Sequence, residues 1–280
     1  MLSRIAILVA AVSIVAVGCS SEQSTAPNMD QMDEQMSQNE ADGLSEFDTD
    51  LSAAKGWWGG HHSHDPVMFT VRIENVSDGM TLMLSNGETA PAPNSPGVWT
   101  VTRLFNPLFK IGHFDLGLGM EQQAEDGDPT MLAASMENRW GVKSSGVFNT
   151  PVGDDSPGPA LPGKAYEFTI EARPGDHLSF SSMFGQSNDL FYSPGFIGIP
   201  LFRWGGAPLE GDVTRFVKLW DAGTEVNQEP GLGMDQAPRQ SGPNTGESER
   251  MRVRQVRDEY TYPATEDVIR VTITPMSPAS

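Results

Sequence analysis

Three carboxylates stand in loops beside predicted strands, and their type and placement suit a hard cation. Asp189 closes the segment Gly185-Gln-Ser-Asn-Asp189, just beyond a strand-like run at 177–184. Asp221 follows another such run that ends at Trp220, and Gly223 lets the backbone fold so that Glu225 turns back toward it. Calcium takes six to eight oxygens at about 2.3–2.6 Å, and irregular loops supply them well because carboxylates and carbonyls converge there. The same residues suit turn carboxylates that accept hydrogen bonds from their own loops. The pattern by itself leaves both readings open.

Two other clusters offer ligands. Ala124-Glu-Asp-Gly-Asp128 is dense in oxygen donors but lacks the spacing and terminal Glu of an EF-hand loop, and Asp128 reads as a helix cap at a structural corner. Gly60-His61-His62-Ser63-His64-Asp65 holds three imidazoles and a carboxylate, a sufficient set for zinc or nickel. It lies in a linker with no scaffold to orient the rings, so the expectation is weak, opportunistic binding. Enzyme signatures are poor: there is no Gly-x-Ser-x-Gly, His-Glu-x-x-His or phosphate-binding glycine loop. Asp154 and Asp155 are adjacent in a Gly/Pro loop, which says nothing of the separation a glycosidase pair needs. His113 and His177 read as strand residues rather than bases.

The elements that must position these groups are strands. Residues 68–73 alternate so that Phe69, Val71 and Ile73 share one face, and 166–171 repeat the pattern with Tyr166, Phe168 and Ile170. Further strands are expected at 98–104, 177–184, 213–220, 251–256 and 268–274, separated by turn-rich text such as Arg173-Pro-Gly-Asp176. Many short strands punctuated by Pro and Gly argue for an all-β fold, an antiparallel β-sandwich with one or two short helices. The clearest helix is 130–138, with Asp128 as cap and Pro129 at its first position, expected to cover an open end of the sandwich.

The first residues set the compartment. A short basic start, the apolar run 5–17 and Gly18-Cys19 form the three parts of a secretory signal peptide, too short for a permanent span of about 20 residues. Ala16-Val17-Gly18-Cys19 resembles the lipobox of bacterial lipoproteins, with Ala16 where Leu is usual. That resemblance implies cleavage after residue 18, acylation of Cys19, and membrane attachment through the N-terminal lipid; Ser20 fits sorting to the outer membrane. Without acylation the chain would be periplasmic or secreted. Cys19 is the only cysteine, so internal disulfides, thiolate zinc sites and a cysteine nucleophile are excluded. The segment 19–65 is acidic and nearly free of β-branched and aromatic residues up to Asp50, and is expected to be a disordered tether. Met29, Met32 and Met36 have helical spacing within it, and Trp57 and Trp58 precede the first strand. The net charge of −19 repels phosphate backbones and argues against nucleic acid as a partner.

Four stretches carry a further resemblance. They are Phe69-Thr-Val-Arg-Ile-Glu-Asn75 with Ser95-Pro-Gly-Val-Trp99; Ala124-Glu-Asp-Gly-Asp128 leading into the helix; Pro174 to Met183 running into Ser187-Asn-Asp-Leu-Phe191; and Trp220-Asp-Ala-Gly-Thr-Glu225 with Asn227 and Pro230-Gly231. In this order the region 66–276 resembles the spondin domain, the N-terminal module of F-spondin and mindin. The resemblance implies a β-sandwich related to C2 domains, a calcium ion (Ca2+) held by loops at one end, and a role in matrix attachment or cell-surface recognition. It favours Asp189, Asp221 and Glu225 as calcium ligands, with Glu225 standing where many relatives carry Asp. The thrombospondin-type repeats and cysteines of the animal members are absent, which leaves their receptors in doubt. The expectation is therefore a lipid-anchored calcium-binding module for adhesion, with a cell-surface, matrix or glycan ligand and no catalytic residues. The competing expectation is a periplasmic or surface hydrolase on the same scaffold.

Overall fold

Period-two alternation builds the first sheet. In the computed structural model, which describes residues 65–277, β1 (Val67–Asn75) buries Phe69, Val71 and Ile73 and turns Arg72 and Glu74 outward. It pairs antiparallel with β6 (Ala165–Ala172) on one side and β13 (Ile269–Pro275) on the other, with Val71 opposite Phe168 and Ile273. A short β10 (Gly211–Asp212) completes a four-stranded sheet in the order β10-β13-β1-β6. Its outer face is wet and carries a loose charge ladder, Arg72 to Glu167 at 3.5 Å and Arg270 to Glu74 at 3.8 Å.

The facing sheet has seven strands. Its path is β12 (Arg254–Gln255), β11 (Val217–Asp221), β8 (Leu190–Pro194), β7 (His177–Phe184), β4 (Asn94–Thr102) and β5 (Val142–Phe148), with β9 (Ile199–Pro200) added on β7. A two-stranded β2 (Leu82–Met83) and β3 (Thr89–Ala90) stands apart. The main core lies between the two large sheets. Trp99 of β4 stacks on Phe168 of β6 at 5.5 Å, and Phe148 of β5 packs on Tyr166 and Phe168. The buried Tyr166 hydroxyl donates to Gly158 O at 2.7 Å and accepts from Ala160 N at 2.9 Å, so the ring is buried at little polar cost. The fold is all-β and antiparallel, as the alternation indicates.

A second layer covers the outer face of the seven-stranded sheet. Helix α1 (Met120–Glu125) and helix α2 (Thr130–Met136) place Met120, Ala124, Leu132 and Met136 on Val98, Phe191 and Trp220, with Leu108 and Phe109 filling the gap. The Asp128 carboxylate accepts from Thr130 N at 2.9 Å and from its hydroxyl, as a cap should. The helix expected to cover an open end lies instead on this sheet face, because β4, β7 and β8 present a second apolar surface there. A last short helix, α3 (Thr265–Val268), leads into β13.

Other expectations are corrected in detail. His113 sits in a turn, not a strand, and its carbonyl accepts from Val253 N at 2.8 Å. The run expected at 213–220 begins as a 3-10 turn (Thr214–Phe216), and that at 251–256 shortens to β12. Among the described residues no helix is long and apolar enough to cross a membrane. The signal sequence, Cys19, the tether, Trp57, Trp58 and His61, His62 and His64 lie outside the described residues.

Candidate metal centre

The antiparallel pairing of β8 with β11 sets Leu190 opposite Asp221, which brings Asp189, one residue before β8, beside the end of β11. Asp189 and Asp221 are 0% and 1% exposed. Gly223, at φ +70°, reverses the chain after β11 so that two successive amides face Asp189. Its Oδ2 accepts from Thr224 N at 2.8 Å, from Glu225 N at 3.2 Å and from the Thr224 hydroxyl at 3.3 Å. A Cβ on Gly223 would meet the backbone of Met251 at 2.8 Å, so glycine is required twice over.

The third acid arrives from far along the chain. Residues 247–251 run back beside 223–226, with Val226 N to Glu247 O, Glu249 N to Thr224 O and Met251 N to Gly223 O, each at 2.8 Å. This return carries Glu249 to the pair. One carboxylate oxygen each from Asp189, Asp221 and Glu249 lies within 4.8 Å of the others. Ligands held at about 2.4 Å from one ion can be no farther apart than about that span.

Arg254 of β12 answers only part of this charge. Its guanidinium lies 2.7 Å from Asp221 Oδ2 and 3.4 Å from Glu249 Oε1, while Asn227 Nδ2 donates to the same Asp221 oxygen at 3.2 Å. Asp189 Oδ1 and Asp221 Oδ1 are buried with no hydrogen-bond partner. Such oxygens cost roughly 1–3 kcal/mol each when left unmade, and more when charged. Burial pushes the Asp189 carboxyl up, the Asp221 charge adds to it, and the two loop amides oppose. Burial likewise raises Asp221, with Arg254 pulling down and Glu249 pushing up.

Glu225 does not join them. Its Oε1 accepts from Gly246 N at 2.8 Å and its Oε2 from Asn188 Nδ2 at 3.1 Å, so it binds the loops together while its amide serves Asp189. Asn188 in turn accepts from Gln228 N at 3.0 Å. Of the three residues singled out from sequence, the fold thus converges Asp189 and Asp221, and Glu249 takes the place expected for Glu225. No local signal marked Glu249: pairing the run 251–256 with the strand ending at Trp220 sets Arg254 opposite Asp221, and Glu249 reaches the pair only through the return beside 223–226.

Glu125 of α1 is nearby, 3% exposed, and burial pushes its carboxyl up to about 8, with the Thr224 side chain opposing. Asp126 accepts from Gln240 Nε2 at 2.9 Å, and Asp154 pairs with Lys164 on the surface. His177 lies on β7 with a buried, unpartnered Nδ1. No family model matches this chain, and no curated protein matches it.

Proposed function

We propose that this chain is an exported, lipid-anchored binding module whose sandwich is completed by a calcium ion between Asp189, Asp221 and Glu249. The observation that carries the metal reading is that Asp189 and Asp221, each with a buried, unpartnered Oδ1, bring one carboxylate oxygen apiece within 4.8 Å of one from Glu249. A cation converts their mutual repulsion into attraction and meets all three carboxylates at once. The donors are all oxygens, the set that calcium prefers, and loops of this kind tolerate its variable coordination better than the strict octahedron of magnesium. Burial of both aspartates leaves a substrate no access to them, which favours a structural ion over hydrolytic chemistry here.

Export and anchoring rest on the signal-like start and Cys19, and the module reading on the order of segments shared with spondin domains. An ion at this point would fix the loops 185–189, 222–228 and 247–251 in one arrangement, and loops so fixed present a cell-surface, matrix or glycan ligand with a constant face.

The test is a set of thermal melts with chelator and then with calcium or magnesium. Millimolar calcium should raise the melting temperature of the wild type, magnesium should do so poorly, and Asp221→Asn or Glu249→Gln should remove most of the response. Asp154→Asn, at a surface pair, should respond as wild type. A wild type indifferent to calcium would sink the metal reading.

A further inference from the structure

The end of the domain opposite the acidic cluster carries large apolar side chains in water. Asp189 precedes β8 at one end, and Phe196 follows it at the other. There the loop after β4 exposes Leu104 (45%) and Phe105 (55%), and the loop after β8 exposes Phe196 (48%) and Ile197 (56%). These tips are held, not merely loose. Phe105 and Phe196 stack with centroids 4.3 Å apart, Asn106 N donates to Phe196 O at 2.8 Å, and the Asn106 amide donates to Pro194 O at 3.1 Å. Register puts two more aromatics at this end. Trp140, 86% exposed, comes just before Val142, which pairs with Thr102, and Trp204, fully exposed, tops the turn after β9. A fixed cluster of exposed aromatic and aliphatic tips marks a surface built to be covered.

Charge and connectivity indicate what covers it. Acids outnumber bases 37 to 18 in the whole chain, yet the tip loops 102–106 and 194–209 contain Arg103 and Arg203 and no acid. Of the nearby acids, Asp176 is buried against Arg103 at 3.4 Å and Lys143 at 2.5 Å, while Asp65 and Glu210 flank these loops in the sequence and are exposed. The strongly acidic surface that would hold an anionic bilayer away is therefore missing from these loops. The chain also joins the domain at this end. β1 starts there with Val67 opposite Ala172, and Phe69 packs edge-on against Phe202, just after β9, at 5.5 Å.

We propose that the cluster formed by Leu104, Phe105, Phe196 and Ile197, with Trp140 and Trp204 beside it, is a docking surface for a phospholipid bilayer. Apolar tips enter the acyl boundary, aromatic rings sit at headgroup level, and Arg103 and Arg203 meet lipid phosphates. The proposal does not depend on the cation site. It takes from the proposed function only that the chain is exported to a membrane surface.

The test uses the chain from Ser20 onward, which has no cysteine to acylate, so that no lipid anchor contributes. Vesicles of phosphatidylethanolamine with phosphatidylglycerol, and of phosphatidylcholine alone, are mixed with it in the presence of chelator. Binding is read by co-sedimentation and by quenching of tryptophan with brominated lipid. The wild type should bind, more to the anionic vesicles, and Phe105→Ser/Phe196→Ser should weaken binding about tenfold or more. Met80→Ser/Met83→Ser removes two still more exposed apolar groups elsewhere and should leave binding unchanged, and matched melts establish that both variants fold. Absence of binding, or binding indifferent to the phenylalanine pair, overturns the proposal. So does a concentration-dependent dimer that the phenylalanine variant abolishes, which would make the tip an interface between copies. Binding that appears only in Trp57→Ser/Trp58→Ser would assign the tip to the chain's own linker instead. None of these results touches the acylation of Cys19, which palmitate labelling reads separately.

Discussion

Asp189→Asn should stabilise the metal-free protein and abolish its response to calcium. At the 4.8 Å limit of the cluster, two unit charges repel by about 3 kcal/mol at an effective dielectric of about 20. Arg254, on the far oxygen of Asp221, offsets part of this. The folded protein can instead escape by protonating one aspartate, which at neutral pH costs about 4 kcal/mol for an ordinary carboxyl. The cheaper route is to stay charged, and after the offset from Arg254 the metal-free wild type carries a penalty of about 2–3 kcal/mol. The asparagine oxygen keeps the bonds from Thr224 and Glu225, and its nitrogen takes the place of the orphaned Oδ1 without a charge to face Asp221. For a domain of this size the gain corresponds to a rise of roughly 5–10 °C in melting temperature. In calcium at 100 times its dissociation constant the wild type gains about 2.7 kcal/mol, and the difference should close. The assay is paired melts of wild type and variant, in chelator and in calcium. An asparagine variant that melts lower than wild type in chelator, yet keeps the calcium response, would refute the reasoning.

Three further outcomes are expected. Glu125 has a folded pKa of about 8, raised from 4.5, so its contribution to stability is full below about 4.5 and is lost as pH rises through about 8. In chelator, Glu125→Gln should therefore melt level with wild type near pH 5 and above it near pH 8, as a pH series of melts will read. Gly97→Ala in β4 puts a methyl into the carbonyl of Ser181 and the ring of Phe148, and denaturant unfolding should show a loss of about 1–3 kcal/mol or more. Cys19→Ala should abolish palmitate labelling and detergent-phase partitioning of the full chain, and equal labelling of both forms would end the lipoprotein reading.

The strands legible in the sequence are those with one wet face or a clear turn before them. β1, β6 and β13 alternate because the outer face of their sheet meets water, and the pattern of Phe69-Val71-Ile73 is that boundary written into residue type. β8 reads Leu-Phe-Tyr-Ser-Pro and is buried at every position, because Tyr192 faces the main core and Phe191 the helix layer. A strand covered on both sides has no period to detect. β5 hides for a different reason: Ser144, Ser145 and Gly146 are poor strand formers, but Trp99 lies across Gly146, where any Cβ would strike the indole at 2.7 Å. The site divides the same way. Asp189 and Asp221 sit at strand ends, where local text shows them, whereas Glu249 is placed by a long-range backbone pairing from a stretch rich in Ser, Gly and Pro. Glu225 misleads because its amide, not its carboxylate, turns toward Asp189.

The two proposed surfaces make different demands on the fold, and β8 meets both. Its first residue follows Asp189 and its last precedes the turn to Phe196, so the ion-binding loops and the apolar tip are separated by the length of that strand, about 17 Å at 3.4 Å per residue. A tip seated on a bilayer would therefore leave Asp189, Asp221 and Glu249 on the side facing away from lipid. This arrangement also resolves an electrostatic conflict. The cluster gathers three carboxylates against one arginine and would be repelled by anionic headgroups at short range, but the Debye length is about 8 Å at physiological salt. Strand length alone thus screens the acidic end from the membrane. Calcium release at that end should leave vesicle binding at the other unaltered, and co-sedimentation in chelator and in millimolar calcium will read this directly. Binding that appears only with calcium would mean that the ion bridges protein to phosphate, and that the acidic loops rather than the aromatic tip meet the bilayer.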